Sequence, residues 1–213
     1  IAHLICSRNF LPEGDAFDQM DDLDWAFGAM GKQDKAKHIA TMYLEDLGNL
    51  IKETIDPHFG FSRYAESLGR SANTFDELYA ALNAPTTYLD TILLEILEQH
   101  IKKVQPKLVC ISVPFPGNLY SALRCGQWIK KHHPAIKVAF GGGYANTELR
   151  SLKEPRVFEF VDFITLDDGE TPLINLLEHL KGTRELKDLK RTFCCINGNV
   201  TYLNGSKDLT NQL

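Results

Sequence analysis

The stretch KLVCISVPFPGNLYSALRCGQWIKKHHPAIKVAFGGGYAN, residues 107–146, decides the fold. Leu108–Val113 is a continuous apolar run of strand length, the pattern of a strand covered on both faces in a parallel sheet. The loop Pro114-Phe-Pro-Gly-Asn118 leads into a helical pattern from Leu119 to His132, with Leu123, Trp128 and Ile129 inward. Pro134 closes that unit. Ile136–Phe140 is a second strand and runs straight into Gly141-Gly-Gly-Tyr-Ala-Asn146. Strand, loop, helix, strand predicts a right-handed, doubly wound parallel sheet.

Downstream the unit repeats. A short helix is expected around Glu148–Leu152. Val161–Leu166 is a third strand, Asp167-Asp-Gly-Glu170 a loop, and Thr171–Lys181 a helix ended by Gly182. Arg191–Ile196 and Val200–Leu203 flank Asn197-Gly198-Asn199, a tight-turn signal that predicts a β-hairpin. Residues 204–213 carry no period and read as a linker.

Upstream the period is helical. Ile39, Met42, Tyr43, Leu47, Leu50, Ile51 and Ile55 share one face of a helix that begins at Asp34 and must stop at Asp56-Pro57. Shorter helices are expected at Ser62–Ser71 and at Thr74–Leu82, the latter opened by the capping pair Thr74 and Glu77. A longer helix over about Thr86–Val104 places Leu89, Ile92, Leu93, Ile96, Leu97, Ile101 and Val104 in register. The resulting division is 1–33, irregular with Ile1–Cys6 as a candidate first strand; 34–104, helical; 105–190, the α/β core; and 191–213, hairpin and linker. A chain opening on Ile1 and closing on a polar tail reads as a piece of a longer protein.

Composition narrows the class. Hydrophobic residues at 44% and charged residues at 24% are globular values that exclude a disordered or fibrous chain. A formal net charge of −5 argues against a nucleic-acid partner. No apolar run approaches the ~20 residues of a membrane span. Five cysteines in 213 residues form no disulfide framework, and reduced thiols in a cytoplasmic protein are expected.

Ligands of open α/β sheets sit beyond the carboxyl ends of the strands. Three loops occupy such ends here. Ser112 brings a hydroxyl, Pro114, Phe115 and Gly117 shape the first loop, and Asn118 offers an amide at a helix start. Gly141, Gly142 and Gly143 leave backbone bare for a bulky group, and Tyr144 with Phe115 could flank a flat ligand. Gly169 and Glu170 open the last helix, where Glu170 is expected to cap its amides. The Gly141–Gly143 run is neither the dinucleotide fingerprint nor a Walker loop. The acidic stretch Glu13–Asp24 lacks the spacing of a calcium loop. The paired His132-His133 sits at a helix end, where it serves the last carbonyls. Cys194 and Cys195 alternate across a strand and cannot share one ion. No catalytic residue set and no metal site is expected.

Taken together, KLVCISVPFPGN (Lys107–Asn118), KVAFGGGYAN (Lys137–Asn146) and VDFITLDDGETPL (Val161–Leu173) resemble the cobalamin-binding N-terminal domain of radical S-adenosylmethionine (SAM) enzymes, the Fe-S oxidoreductase family. In that family a strand ending I-S-V, a strand ending G-G and the run V-D-x-I-x-x-G-E-x-P follow in this order, and a short β unit then leads to the catalytic barrel. The resemblance covers about residues 100–205. It implies a flavodoxin-like (Rossmann-like) fold with the corrin ring over the carboxyl edge of the sheet. The nucleotide tail would pass beside Ser112 and Gly141–Gly142, and Pro114, Phe115, Gly117, Asn118, Gly143, Tyr144, Gly169 and Glu170 would border the cofactor. The D-x-H-x-x-G motif that supplies a lower cobalt ligand is absent, and so is the C-x-x-x-C-x-x-C cluster motif. The implied 4Fe-4S cluster, SAM and substrate therefore belong to the barrel of a parent protein, while residues 34–104 form a helical insertion. The alternative is a cofactor-free docking or substrate-shielding module of the same fold.

Overall fold

Leu108–Ser112 (β1), Lys137–Gly141 (β2) and Phe163–Thr165 (β3) pair in parallel, as their unbroken apolar runs require. Thr192–Ile196 (β4) then pairs antiparallel to β3, and Asn199–Leu203 (β5) antiparallel to β4. The hairpin thus extends the same five-stranded sheet, in the order β1-β2-β3-β4-β5. This computed structural model describes residues 32–57, 59 and 75–205. The expected strand at Ile1–Cys6 and helix at Ser62–Ser71 lie outside them. Among the described strands the order is sequential, so the reversal that a doubly wound sheet requires does not occur there.

The helices are Lys32–Thr54 (α1), Phe75–Asn83 (α2), Tyr88–Val104 (α3), Leu119–His132 (α4), Gly143–Glu148 (α5) and Glu170–Leu180 (α6) among the described residues. The chain divides into two compact units: one holds α1 and residues 87–89, and the other holds the rest of the described chain from α2 to β5. In the first unit, Leu89 donates its amide to Asp56 at 3.4 Å. Tyr43 and Ile55, expected on the inward face of α1, are more than half exposed.

In the second unit, helices cover both faces of the sheet, an α/β architecture consistent with a flavodoxin-like fold. On one face, Val138, Phe140, Ile164 and Phe193 pack with Leu123 and Ile129 of α4, Ala145 of α5, Leu82 of α2 and Ile101 of α3. On the other, Ala139, Phe163, Cys194 and Leu203 pack with Leu176 of α6 and Leu189. The α2–α3 region is therefore part of the main core. Ile92, Ile96 and Val104, expected in register with Ile101, are exposed.

A buried ionic cluster joins α2, α3 and α4. Arg124 donates to the Leu82 carbonyl at 2.7 Å and the Ala81 carbonyl at 3.0 Å, which places a cation at the C-terminal end of α2. Its Nε lies 3.2 Å from Asp90, and Tyr120 donates to Asp90 at 2.8 Å. Burial, with the Asp90 charge, pushes the neighbouring Cys125 thiol up to about 11. The hairpin turn closes as its sequence dictates, with Asn197 (φ 51°) and Gly198 (φ 78°) both left-handed.

Candidate functional site

The first two loops at the carboxyl edge are zipped together. Val113 donates its amide to Gly141 at 2.8 Å, and Tyr144 returns its amide to Val113 at 3.0 Å. The short helix expected at Glu148–Leu152 opens earlier, inside the glycine run. Gly142 has φ +100°, and a Cβ there would stand 2.9 Å from both Ser112 Oγ and the Val113 carbonyl oxygen. A Cβ on Gly143 would stand 2.9 Å from the Pro114 carbonyl oxygen. The space freed by these two glycines is thus filled by the protein's own first loop. A Cβ on Gly141 would meet only the Thr165 hydroxyl, at 3.0 Å, and the Thr165 carbonyl oxygen.

The third loop is tied to the second by a residue that composition does not single out. Asn146 donates to the Asp167 carbonyl at 3.0 Å and accepts the Asp167 amide in return. This pair holds Asp167 at φ 64°, an unusual conformation for a residue with a Cβ. Arg150 pairs with the Asp167 carboxylate, and Arg191 reaches Asp168 at 2.9 Å. The two acids are therefore matched by two guanidinium groups. Among the described residues no group of three or more His, Cys, Asp or Glu could hold a metal ion. Gly169, not Glu170, is the N-cap of α6, and no side chain caps the first amides, against the role expected of Glu170.

The expected residues thus gather at one edge. Ser112, Pro114 and Phe115 are exposed, the last at 63%; Gly117 and Asn118 form the turn into α4, where Asn118 caps no amide with its side chain. Tyr144 is half-buried; burial, then the charge of Glu148, raises its hydroxyl pKa.

Beside these loops, on the α6 side of the sheet, small side chains line a candidate trough. Strand register places Cys110, Ser112, Ala139 and Gly141 on that face over β1 and β2, and Cys110 and Ser112 are exposed there. Burial raises the Cys110 thiol pKa, so it stays protonated. α6 buries Pro172 and Leu176 against the sheet, leaving Leu173, Leu177 and Leu180 exposed along one flank. On its opposite flank Glu178 pairs with Arg184, in the segment that runs to β4. The leucine flank therefore faces away from that segment, and beyond it the sheet surface over β1 and β2 carries small side chains. Asn175, on the Glu178 flank, keeps a buried Oδ1 with no partner among the described residues and lies away from this trough.

His132 donates its Nδ1–H to the Trp128 carbonyl, 2.9 Å away, as expected of a helix-end histidine. Cys194 is buried and Cys195 exposed, on opposite faces as strand alternation requires. Asn146, Thr165 and Cys110 were not legible as site residues; Asn146 at least closes the expected glycine motif.

No family model matches the chain. No curated protein matches it either. Among solved structures, an apo, selenomethionine-labelled cobalamin-dependent S-adenosylmethionine radical enzyme, OxsB, is similar at 20% identity with a TM-score of 0.43. The match covers 54% of this chain and 16% of that one, so the chain spans a small part of that enzyme's length. Among the described residues no helix is long and apolar enough to cross a membrane.

Proposed function

We propose that the chain is a cobalamin-binding domain that positions a corrinoid for chemistry carried out by a radical SAM barrel. What supports this reading is the run of small residues Cys110, Ser112 and Gly141 at the strand ends together with the exposed leucines of α6, which would form a trough ending at the three joined loops. The chain's residues fit the group at that place: a narrow heterocyclic tail needs a floor without bulky side chains, and the leucine flank offers it apolar contact. Ser112 would hydrogen-bond the tail at the trough mouth. Phe115 and Tyr144 would border the ring above the strand ends, and Gly169 leaves its side open, since no atom lies within 4 Å of a Cβ there. Gly142 and Gly143 hold the loops together and do not touch the ligand. When bound, the corrinoid supplies a cobalt centre for methyl or radical chemistry; this chain's residues only bind and orient it.

The test is to mix the purified chain with hydroxocobalamin and follow the visible spectrum through gel filtration. Co-elution of colour with protein is expected. Ser112→Phe, which fills the trough floor, removes the colour while leaving the far-ultraviolet circular dichroism unchanged. Colourless protein at high cofactor excess refutes the reading. A cofactor-free docking module is the second reading, favoured by the use of Gly142 and Gly143 in internal packing.

A further inference from the structure

Opposite the candidate site, at the edge where β1 and β2 begin, basic side chains gather. α3 ends in Lys102 and Lys103, and α4 ends in Lys130, Lys131 and His132, followed by His133. Lys107 stands just before β1 and Lys137 opens β2, with the Lys137 amide on the Lys107 carbonyl at 3.0 Å. The ends of α3 and α4 are neighbours, with Ile101 and Ile129 packed in one core cluster. Two carboxylates answer this group. Glu98 pairs with Lys102 at 2.6 Å, and Asp162 takes Lys130 at 2.7 Å and Lys137 at 3.3 Å. Lys103, Lys107 and Lys131 are exposed and pair with no carboxylate among the described residues.

Helix C-termini attract lysines through the macrodipole, which accounts for Lys102, Lys103, Lys130 and Lys131 individually. It does not account for Lys107, which belongs to no helix, nor for a concentration of unpaired base on a chain of net charge −5. Beside them the Trp128 ring lies tilted against those of His132 and His133 at centroid distances of 4.7 and 5.3 Å, a polar aromatic shelf within the same edge.

We infer that this amino-terminal edge is a docking surface for an acidic polypeptide segment of a partner protein, seated on Lys103, Lys107 and Lys131 against the Trp128–His132–His133 shelf. The inference is independent of cobalamin binding, since it concerns the opposite end of the sheet. A short acidic segment meets this edge alone. A nucleic acid, with one charge per ~1.7 Å of duplex, extends past it onto a chain that is acidic as a whole. The edge also lacks the repeated aromatic platforms on which successive bases stack.

The test uses the full chain and an oligoglutamate peptide of about ten residues, longer than the Debye length at physiological salt. Binding is read by Trp fluorescence and calorimetry. Saturable binding at low salt that weakens as salt rises is expected. The Lys103→Glu/Lys107→Glu/Lys131→Glu variant loses about tenfold or more in affinity, since each exposed pair contributes little alone. Its thermal melt falls only slightly, because none of the three lysines holds an ion pair and Lys103 and Lys131 lose only their favourable helix-end charge. Lys153→Glu, elsewhere on the surface, binds as the parent chain does. Equal affinity in the triple variant overturns the inference, as does tighter binding of an oligouridylate of the same length.

Discussion

Gly142 and Gly169 both have left-handed backbone, but their surroundings differ in kind. At Gly142 a side chain meets the Val113 carbonyl oxygen and Ser112 Oγ at 2.9 Å, whereas at Gly169 nothing lies within 4 Å. Gly169→Ala therefore carries only the conformational penalty, about 1–2 kcal/mol. Gly142→Ala adds displacement of a backbone oxygen, and a loss of about 3 kcal/mol is expected from strain and lost loop contacts together. Urea unfolding of the two variants separates these cases; equal losses would show that the first two loops yield without cost. The sequence announced that three consecutive glycines have a job, but not which one. Bare backbone admits a ligand or a neighbouring loop equally well, and only the position of Pro114 decides between them. Asn146 and Asp167 were still less legible, because their pairing joins residues far apart in the chain and leaves no local pattern.

At the scale of elements, legibility followed the strength of the local signal. Leu119–His132 is found as read, between an Asn and a proline-bounded turn, and the Asn197-Gly198 hairpin closes as its turn residues demand. The amphipathic pattern of α3 was less instructive. Ile92 and Ile96 remain exposed while Ile101 is buried, because at ~3.6 residues per turn Ile92 falls about half a turn from Ile101 and only the Leu97–Ile101 side of the broad apolar stripe meets the core. What anchors the helices is Arg124, which no motif marks. At 3% exposure it donates to the Ala81 and Leu82 carbonyls in the last turn of α2 and pairs with Asp90 at 4% exposure. Arg124→Met leaves the buried Asp90 charge without its cationic partner and removes the donor to the Ala81 carbonyl, while Gln127 still donates to the Leu82 carbonyl at 2.9 Å. A loss of about 3–5 kcal/mol is expected in denaturant unfolding. Adding Asp90→Asn recovers part of that loss, since the orphaned charge is then gone; a fully additive double variant would show that the two groups act separately.

For the whole molecule, alternation and apolar runs conveyed the α/β class and the presence of a hairpin, but not the strand order. Sequence period says that a strand is buried on both faces and is silent on its neighbours. That β4 and β5 extend the same sheet emerges only through long-range pairing of Ile164 with Phe193. The second unit's stability should carry a signature of one such long-range contact. Asp162, at the start of β3, accepts from the Val138 amide at 2.9 Å and from Lys130 at 2.7 Å, joining β3, β2 and α4. Burial alone would raise its pKa; the Lys130 hydrogen bond, the Val138 amide and the charges of Lys130 and Lys137 outweigh it and hold the carboxyl below its ordinary value. A carboxyl depressed in the folded state adds stability that is fully present above its unfolded pKa of about 3.9 and lost as pH falls through the lower folded value. Asp162→Asn keeps the shape but loses the charge, so a cost of about 2 kcal/mol is expected at neutral pH. The cost should shrink toward zero below about pH 4, where the parent carboxylate is itself becoming protonated. Thermal unfolding of both proteins across the acid range checks this, and a difference that stays constant with pH would mean that Asp162 stabilises the fold by packing and not by its charge.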